Sequence, residues 1–246
     1  MRGFFIFILW FSYVVNAFAG SSSNLLKTYK KDVFYTVKAL KANKNSLLTF
    51  GGLLGVSFFL DKGTRTYVLN HQNTTLKNIA DFTNYFGSGY ILFPAVTALG
   101  TWGFLNNNLK LLEASITSFE SGLTAELLTV GIKIAVGRER PYSTDNPFRF
   151  KPFKKDTLYH SFPSWHTVMA WSMITPYAVY YKQSLLYLIP LSVNFARVYK
   201  NKHWLSDTVM SSGIGFAVGY FFSKRHLSNR IVLLPSENNL MVGVRF

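Results

Sequence analysis

The sequence predicts an all-α protein, a bundle of about six core helices that is membrane-associated or membrane-spanning. Apolar residues make up 49% of its 246 residues and charged residues only 15%, whereas about 25% charged residues is usual in a soluble domain. Long segments also place apolar residues at helical spacing. The mean hydropathy of +0.15 is low for a chain made only of membrane helices, so composition leaves open how much of the bundle lies in lipid.

Residues 1–19 have the pattern of a secretory signal peptide. Met1–Arg2 precede the apolar run Gly3–Val15, and Ala17-x-Ala19 fits a small-residue cleavage site. An uncleaved N-terminal anchor is the alternative. Residues 20–45 follow as a basic segment with apolar residues at helical spacing, which predicts an amphipathic helix that lies on a membrane surface or packs on the domain.

Residues 46–225 are predicted to form the helical domain. The run Phe82–Leu109 carries no charge over 28 residues and is long enough to span a bilayer. Leu111–Val136 contains four charged residues, which we expect to face inward because charge is costly against lipid. The other predicted helical segments are Ser46–Leu60, Thr157–Tyr181, Gln183–Ala196 and Thr208–Ser223. The tail, 226–246, differs, because two apolar or alternating stretches around Pro235–Asn239 indicate a short β-hairpin.

The formal net charge is +15 and the chain has no cysteine. A basic balance attracts anions, but no basic tail or repeated Arg/Lys tract indicates nucleic-acid binding. Phosphate or anionic lipid is therefore the expected partner. The lack of cysteine excludes disulfides, thiolate metal sites and cysteine nucleophiles.

Three blocks of residues carry the candidate chemistry. The first is Lys133-Ile-Ala-Val-Gly-Arg-Glu-Arg140-Pro141, the second is Pro163-Ser164-Trp165-His166, and the third extends from Arg197 through His203 to Asp207. Taken singly, each block has a structural explanation: basic residues at a helix end, a capped helix start, and an i,i+4 pair on a helix.

Together the blocks form a set suited to phosphoryl transfer. Lys133, Arg140 and Arg197 supply three positive charges for a phosphate, and Ser164 with the amides at its helix start adds donors. His203 and Asp207 resemble a base and the carboxylate that orients it, while His166 is a second imidazole. One histidine can attack phosphorus while the other protonates the leaving oxygen.

At these residues the chain resembles the type 2 phosphatidic acid phosphatase superfamily, which includes bacterial class A acid phosphatases and vanadium haloperoxidases. The family pattern is K-x6-R-P, then P-S-G-H, then S-R-x5-H-x3-D. The first block matches in full. Trp165 replaces the glycine of the second block and Ala196 replaces the serine of the third, and the resemblance covers about residues 45–225.

The resemblance implies a role for each matching residue. His203 would be the nucleophile that forms a phosphohistidine, Asp207 would orient it, and His166 would be the acid for the leaving group and then the base for water. The phosphate-binding residues would be Lys133, Arg140, Ser164 and Arg197, with the backbone amide of Trp165. The family needs no metal or other cofactor for hydrolysis. The ring of Trp165 either lines the substrate entrance or points into the bundle.

The expected substrate is an anionic lipid phosphate or diphosphate, such as undecaprenyl diphosphate, phosphatidylglycerol phosphate, phosphatidate or a lipid A phosphate. A periplasmic acid phosphatase on soluble phosphomonoesters, a haloperoxidase and a catalytically weakened membrane scaffold are the alternatives. We expect a bacterial inner-membrane protein. Six spanning helices would turn the site to the cytoplasm, whereas the usual orientation of the family's envelope members favours the periplasm.

Overall fold

The computed structural model describes residues 44–228, 231–235 and 240–244, together with Lys30, Lys31 and Phe34, which are helical. The predicted signal peptide and most of the predicted amphipathic segment lie outside the described residues.

Seven α-helices make up most of the described chain, which confirms the all-α prediction. They are α1 (Lys44–Asn70), α2 (Thr74–Asn84), α3 (Gly89–Leu105), α4 (Leu109–Val136), α5 (Trp165–Tyr181), α6 (Leu188–Tyr199) and α7 (Leu205–Ser228). Short 3₁₀ turns cover Tyr85–Gly87, Thr157–Tyr159 and Ser184–Tyr187. Strands β1 (Ile231–Pro235) and β2 (Leu240–Val244) pair antiparallel, with Ile231 opposite Val244.

Helix α5 lies at the centre of the bundle and packs against both α4 and α7. One apolar cluster joins α3, α4 and α5 through residues such as Phe93, Phe119 and Met173. A second joins α4, α5 and α7 through Ala125, Val168 and Phe222. Because α5 is enclosed by its neighbours, its N-terminal end is held against the ends of α4 and α7, where the three sequence blocks lie.

Three predicted segments are not single α-helices, and one of them, Gln183–Ala196, is a 3₁₀ turn at Ser184–Tyr187 followed by α6. Phe82–Leu109 is not one helix, because α2 ends at Asn84, a 3₁₀ turn follows, and α3 begins at Gly89. Thr157–Tyr181 is helical only from Trp165, apart from the turn Thr157–Tyr159. Apolar composition continues through the break at Tyr85–Gly87, so hydropathy alone does not reveal it, whereas Pro163 and Ser164 mark the start of α5 in the sequence.

Within the described residues, no single helix is both long and apolar enough to cross a membrane. One bent pair, Thr74–Gly87 with Gly89–Leu105, meets that requirement by length and composition when its two parts, 56° apart, are taken together.

Candidate active site

The first block leaves α4 through a left-handed glycine. Gly137 has φ 60° and ψ 45°, and its N–H donates to the Lys133 carbonyl at 2.9 Å. A β-carbon at this position would lie 1.9 Å from the carbonyl oxygen of Lys151. Glycine is required here because both the positive φ and the close backbone exclude a side chain. The turn carries Arg138 and Arg140 back over the end of the bundle.

Lys133 joins the end of α4 to the segment that precedes α5. Its Nζ donates to the carbonyl oxygens of His160 at 2.7 Å and Pro163 at 2.5 Å. Burial, together with the charges of Arg140 and Arg197, lowers the pKa of Lys133 to about 7. Within the part of the chain that the structure describes, two of the three N–H groups of the protonated amine are thus occupied, and one remains for an anion.

Arg140 and Arg197 bring two more positive charges to the same place. Arg140 Nη1 lies 3.4 Å from His203 Nε2. Arg197 Nη1 donates to Asn84 Oδ1 at 2.6 Å, whereas its buried Nε meets no acceptor among the described residues. Burial, and then the charge of Arg140, lowers the pKa of Arg197 to about 10. Cations that disfavour one another's charge in this way form a site that a phosphate dianion would stabilise.

His203 occupies the turn before α7 and is buried. Its Nδ1 lies 2.7 Å from the carbonyl oxygen of Ser161 and 3.5 Å from Asp207 Oδ2. Both neighbours are acceptors, so we assign the imidazole proton to Nδ1. The lone pair is then on Nε2, which faces Arg140. Burial lowers the pKa of His203 well below its ordinary value, so the ring is neutral and able to act as a nucleophile.

Asp207 is fully buried in the first turn of α7 and accepts several hydrogen bonds. Arg138 donates to Oδ1 at 2.6 Å, whereas Ser161 Oγ at 2.5 Å and the Trp204 amide at 2.9 Å donate to Oδ2. Burial alone would raise the pKa of Asp207, but Arg138, His203 and Ser161 outweigh it and lower the pKa to about 2. The carboxylate is therefore ionised beside the His203 ring.

The second block forms the start of α5. Ser164 stands at the N-cap position, but its side chain makes no capping hydrogen bond. Its N–H donates to Ser211 Oγ at 2.7 Å, and its Oγ accepts from Thr167 at 3.1 Å. No acceptor among the described residues takes the hydroxyl proton of Ser164, which leaves it for a ligand. The amides of the first helical turn also lack an intrahelical partner.

His166 follows in the first turn of α5 and is half-buried. Burial, and then the charges of Arg197, Lys133 and Arg140, lowers the pKa of His166 to about 3. The three predicted phosphate-binding cations are thus close enough to His166 to disfavour its protonation. This ring is neutral at physiological pH unless an anion offsets them.

Trp165 packs its half-buried side chain against the apolar cluster of α3, α4 and α5. Of the two orientations that the sequence left open, the contacts favour the one toward the bundle. The replacement of the family glycine therefore adds apolar contact beneath the helix start.

Four polar residues that sequence reasoning missed support the site: Asp61, Asn84, Arg138 and Ser161. Arg138 lies inside the first block, and Asp61 is the charge that ends the run Ser46–Leu60. The aspartate at the end of an apolar run was a usable signal, because buried charges are paired, whereas Arg138 stands between Gly137 and Glu139 in a charged block and gave none. Asn84 and Ser161 carried no such signal.

A family model matches part of the sequence, and solved structures match the fold. Residues 116–231 match the model of the PAP2 superfamily, whereas no curated protein matches the sequence. The crystal structure of LpxE from Aquifex aeolicus is similar, with 21% identity and a TM-score of 0.51 over 67% of this chain and 95% of that one.

A second similar structure is that of the first transmembrane PAP2-type phosphatidylglycerolphosphate phosphatase from Bacillus subtilis. It has 17% identity and a TM-score of 0.51 over 78% of this chain and 92% of that one. The matched segment contains all three blocks, which the helices bring to one end of the bundle. The match to the PAP2 superfamily is thus carried by residues 116–231, a little under half of the chain.

Proposed function

We propose that the protein is a metal-independent phosphatase that hydrolyses a lipid phosphate or lipid diphosphate through a phosphohistidine intermediate. The observation that carries this proposal is the placement of Arg140 3.4 Å from the Nε2 atom of His203. The nucleophilic atom thus faces a cation that would hold the phosphate. Lys133 and Arg197 are near enough to lower the pKa of the same ring.

The reaction would proceed in two steps on these residues. In the first, His203 Nε2 attacks phosphorus, an N–P bond forms, and the P–O bond to the leaving alcohol or phosphate breaks. His166 donates a proton to the leaving oxygen. In the second, His166 removes a proton from water, the oxygen attacks phosphorus, and the N–P bond breaks to release inorganic phosphate. Asp207 stabilises the positive charge that develops on the His203 ring.

The pKa of His166 is compatible with this role once phosphate is bound. In the free site the three cations and burial keep His166 neutral. A phosphate dianion would offset the cations and raise the pKa of His166, so the acid would be generated when substrate binds. Electrostatic stabilisation by Lys133, Arg140 and Arg197 would act on the same charge in the transition state.

A lipid substrate is supported by the surface of the bundle. Large apolar side chains are exposed on several helices, including Phe59 at 84%, Trp102 at 63% and Leu185 at 72%. Exposed apolar surface of this kind is typical of contact with a membrane or another apolar partner. The two similar structures are those of LpxE and a phosphatidylglycerolphosphate phosphatase. Membrane association is part of this proposal, and the periplasmic orientation stays a prediction.

The test is phosphate release by the detergent-purified protein, with His203→Ala as the inactive control. Phosphatidylglycerol phosphate, phosphatidate and undecaprenyl diphosphate are compared with p-nitrophenyl phosphate. We expect a lipid to be preferred, full activity in EDTA, and inhibition by vanadate. Loss in EDTA that Zn²⁺ or Mg²⁺ restores would contradict the mechanism. Preference for p-nitrophenyl phosphate would favour the soluble-substrate alternative, and no turnover of any ester would favour the scaffold.

A further inference from the structure

Arg138 is a fully buried arginine whose donors are all directed to fixed acceptors. Its guanidinium also lies 4.8–5.6 Å from the ring centroids of Phe58, Phe150 and Trp204. Nη1 donates to Ser206 Oγ and Asp207 Oδ1, each at 2.6 Å. Nη2 donates to Asp61 Oδ2 and the Pro147 carbonyl, each at 2.7 Å. Nε donates to the same carbonyl at 3.0 Å. The aromatic rings pack around the guanidinium and the acceptors take all its N–H groups, so the guanidinium is fixed in one orientation.

Asp61 provides the second carboxylate of this cluster, from helix α1. It is 1% exposed. Oδ1 accepts from the Ser206 amide at 2.8 Å, and Oδ2 accepts from Ser206 Oγ at 2.6 Å as well as from Arg138. A buried carboxylate is costly unless it is paired and hydrogen-bonded. Among the described residues, Asp61 meets both conditions through Arg138 and Ser206, and Ser206 adjoins Asp207 in the chain.

The cluster determines which oxygen of Asp207 faces His203. Arg138 occupies Oδ1, so Oδ2 is the oxygen that lies 3.5 Å from His203 Nδ1. Asp61 shares the positive charge of Arg138, which would otherwise act on Asp207 alone. The negative charge of Asp207 therefore remains available to the His203 ring. An electrostatic effect of this kind is strong in a buried site.

We propose that Asp61 is a positioning residue of the active site, which acts through Arg138 to orient Asp207 and thereby His203. Asp61 lies outside residues 116–231, the segment that matches the superfamily. Helix α1 would then contribute a residue that positions the catalytic groups. The kinetic part of this proposal rests on the proposed function, whereas the orientation of His203 does not require any turnover.

The first experiment compares Asp61→Asn with a matched control, Asp145→Asn. Asp145 also forms an ion pair with α1, to Arg65 at 2.5 Å, but its side chain is 81% exposed and the pair does not include Asp207. We expect Asp61→Asn to lower kcat at least tenfold for lipid and small phosphate esters alike, with KM within threefold. Asp145→Asn should stay within twofold in both constants. A positioning residue affects the chemical step for every substrate.

The second experiment needs no activity. The Nδ1 proton of His203 is buried between Ser161 and Asp207, so it should be protected from exchange and visible by NMR in protein labelled with ¹⁵N-histidine. His203→Ala assigns the signal. We expect its exchange rate to rise at least tenfold in Asp61→Asn and to stay unchanged in Asp145→Asn. If the wild type hydrolyses no phosphate ester, the proposed function fails, but this measurement still tests the role of Asp61.

A third variant covers the case in which Asp61→Asn does not fold. Ser206→Ala keeps both charges and removes the hydroxyl that lies between Arg138 and Asp61. Faster exchange of the His203 proton in this variant supports the proposal. Unchanged exchange in every folded variant of Asp61 and Ser206 overturns it, whatever happens to activity.

Discussion

His203 makes its closest hydrogen bond to the backbone of Ser161, at 2.7 Å, rather than to the Asp207 carboxylate at 3.5 Å. The hydroxyl of Ser161 donates to the same carboxylate. One serine thus contacts both members of the pair, and its carbonyl shares with Asp207 the role of keeping the proton of His203 on Nδ1. The nucleophilic tautomer therefore depends on the path of the segment before α5 as well as on Asp207.

This relationship predicts an order of effects on turnover. His203→Ala should abolish activity, with a loss of at least about 10³-fold, because the nucleophile that forms the phosphohistidine is removed. Ser161→Ala should cost less than about tenfold, since the carbonyl that holds Nδ1 remains when the hydroxyl is removed. Steady-state kcat for one phosphate ester checks both variants. A Ser161→Ala loss as large as that of His203→Ala would show that the hydroxyl, and not the carbonyl, orients the ring.

Phosphate binding should raise the pKa of His166. In the free protein this pKa is lowered to about 3 by burial and by Arg197, Lys133 and Arg140, and an inorganic phosphate among those cations removes part of the repulsion. We expect a rise of at least about one unit, equivalent to about 1.4 kcal/mol. NMR titration of the ring with and without phosphate measures it, and His166→Gln identifies the signal. An unchanged pKa at saturating phosphate would show that His166 does not lie beside the bound phosphate.

The same shift predicts how acid affects stability. Below about pH 6.5 His166 is protonated in the unfolded chain but stays neutral in the folded protein. The contribution of His166 to the free energy of unfolding therefore falls as the pH drops toward 3. Phosphate should reduce this loss, because it raises the folded-state pKa. Thermal unfolding at pH 7 and pH 5, with and without phosphate, compares wild type with His166→Gln. Equal pH dependence in the two proteins would contradict the assignment.

Trp165→Gly should destabilise the protein without opening the site. The ring packs against the cluster that includes Phe93 and Met173. Removal of a buried Trp side chain costs about 3–5 kcal/mol, and partial exposure places this change near the lower end. We expect a lower Tm and no more than a twofold gain on p-nitrophenyl phosphate, with Trp165→Phe intermediate in Tm. A large gain on the small ester at unchanged Tm would place the ring at the entrance instead.

Gly87→Ala should displace His166, because Gly87 packs directly against it. A β-carbon on Gly87 would lie 2.7 Å from both the β-carbon and the carbonyl oxygen of His166, and 2.8 Å from Val193. Such contacts force the start of α5 to move. We expect kcat to fall about tenfold together with Tm. Gly131→Ala on α4 is the matched control, because nothing lies within 4 Å of its β-carbon, and it should stabilise the protein by about 0.5–1 kcal/mol. Equal kcat values in the two variants would contradict the prediction.

The sequence by itself determined the helical class, the three blocks and the side chains that could carry phosphoryl transfer. It could do so because helical periodicity and the spacing within each block are local properties of the chain. Those local properties also placed Lys133 at the end of a helix and His166 at the start of another. They did not place every helix boundary, since the apolar stretch Phe82–Leu109 continues through the break at Tyr85–Gly87.

Only the tertiary structure decided which groups hold the candidate catalytic residues in place. Asp61 and Arg138 are 77 positions apart in the chain, and Asn84 and Arg197 are 113 apart. Their contacts arise from the packing of α1 and α2 against the later helices. The role of the Ser161 carbonyl could not be predicted from the sequence either. Every residue has a carbonyl, and only the fold brings this one to His203. Residue type specifies what chemistry is available, whereas distance and burial, which determine its strength, depend on packing.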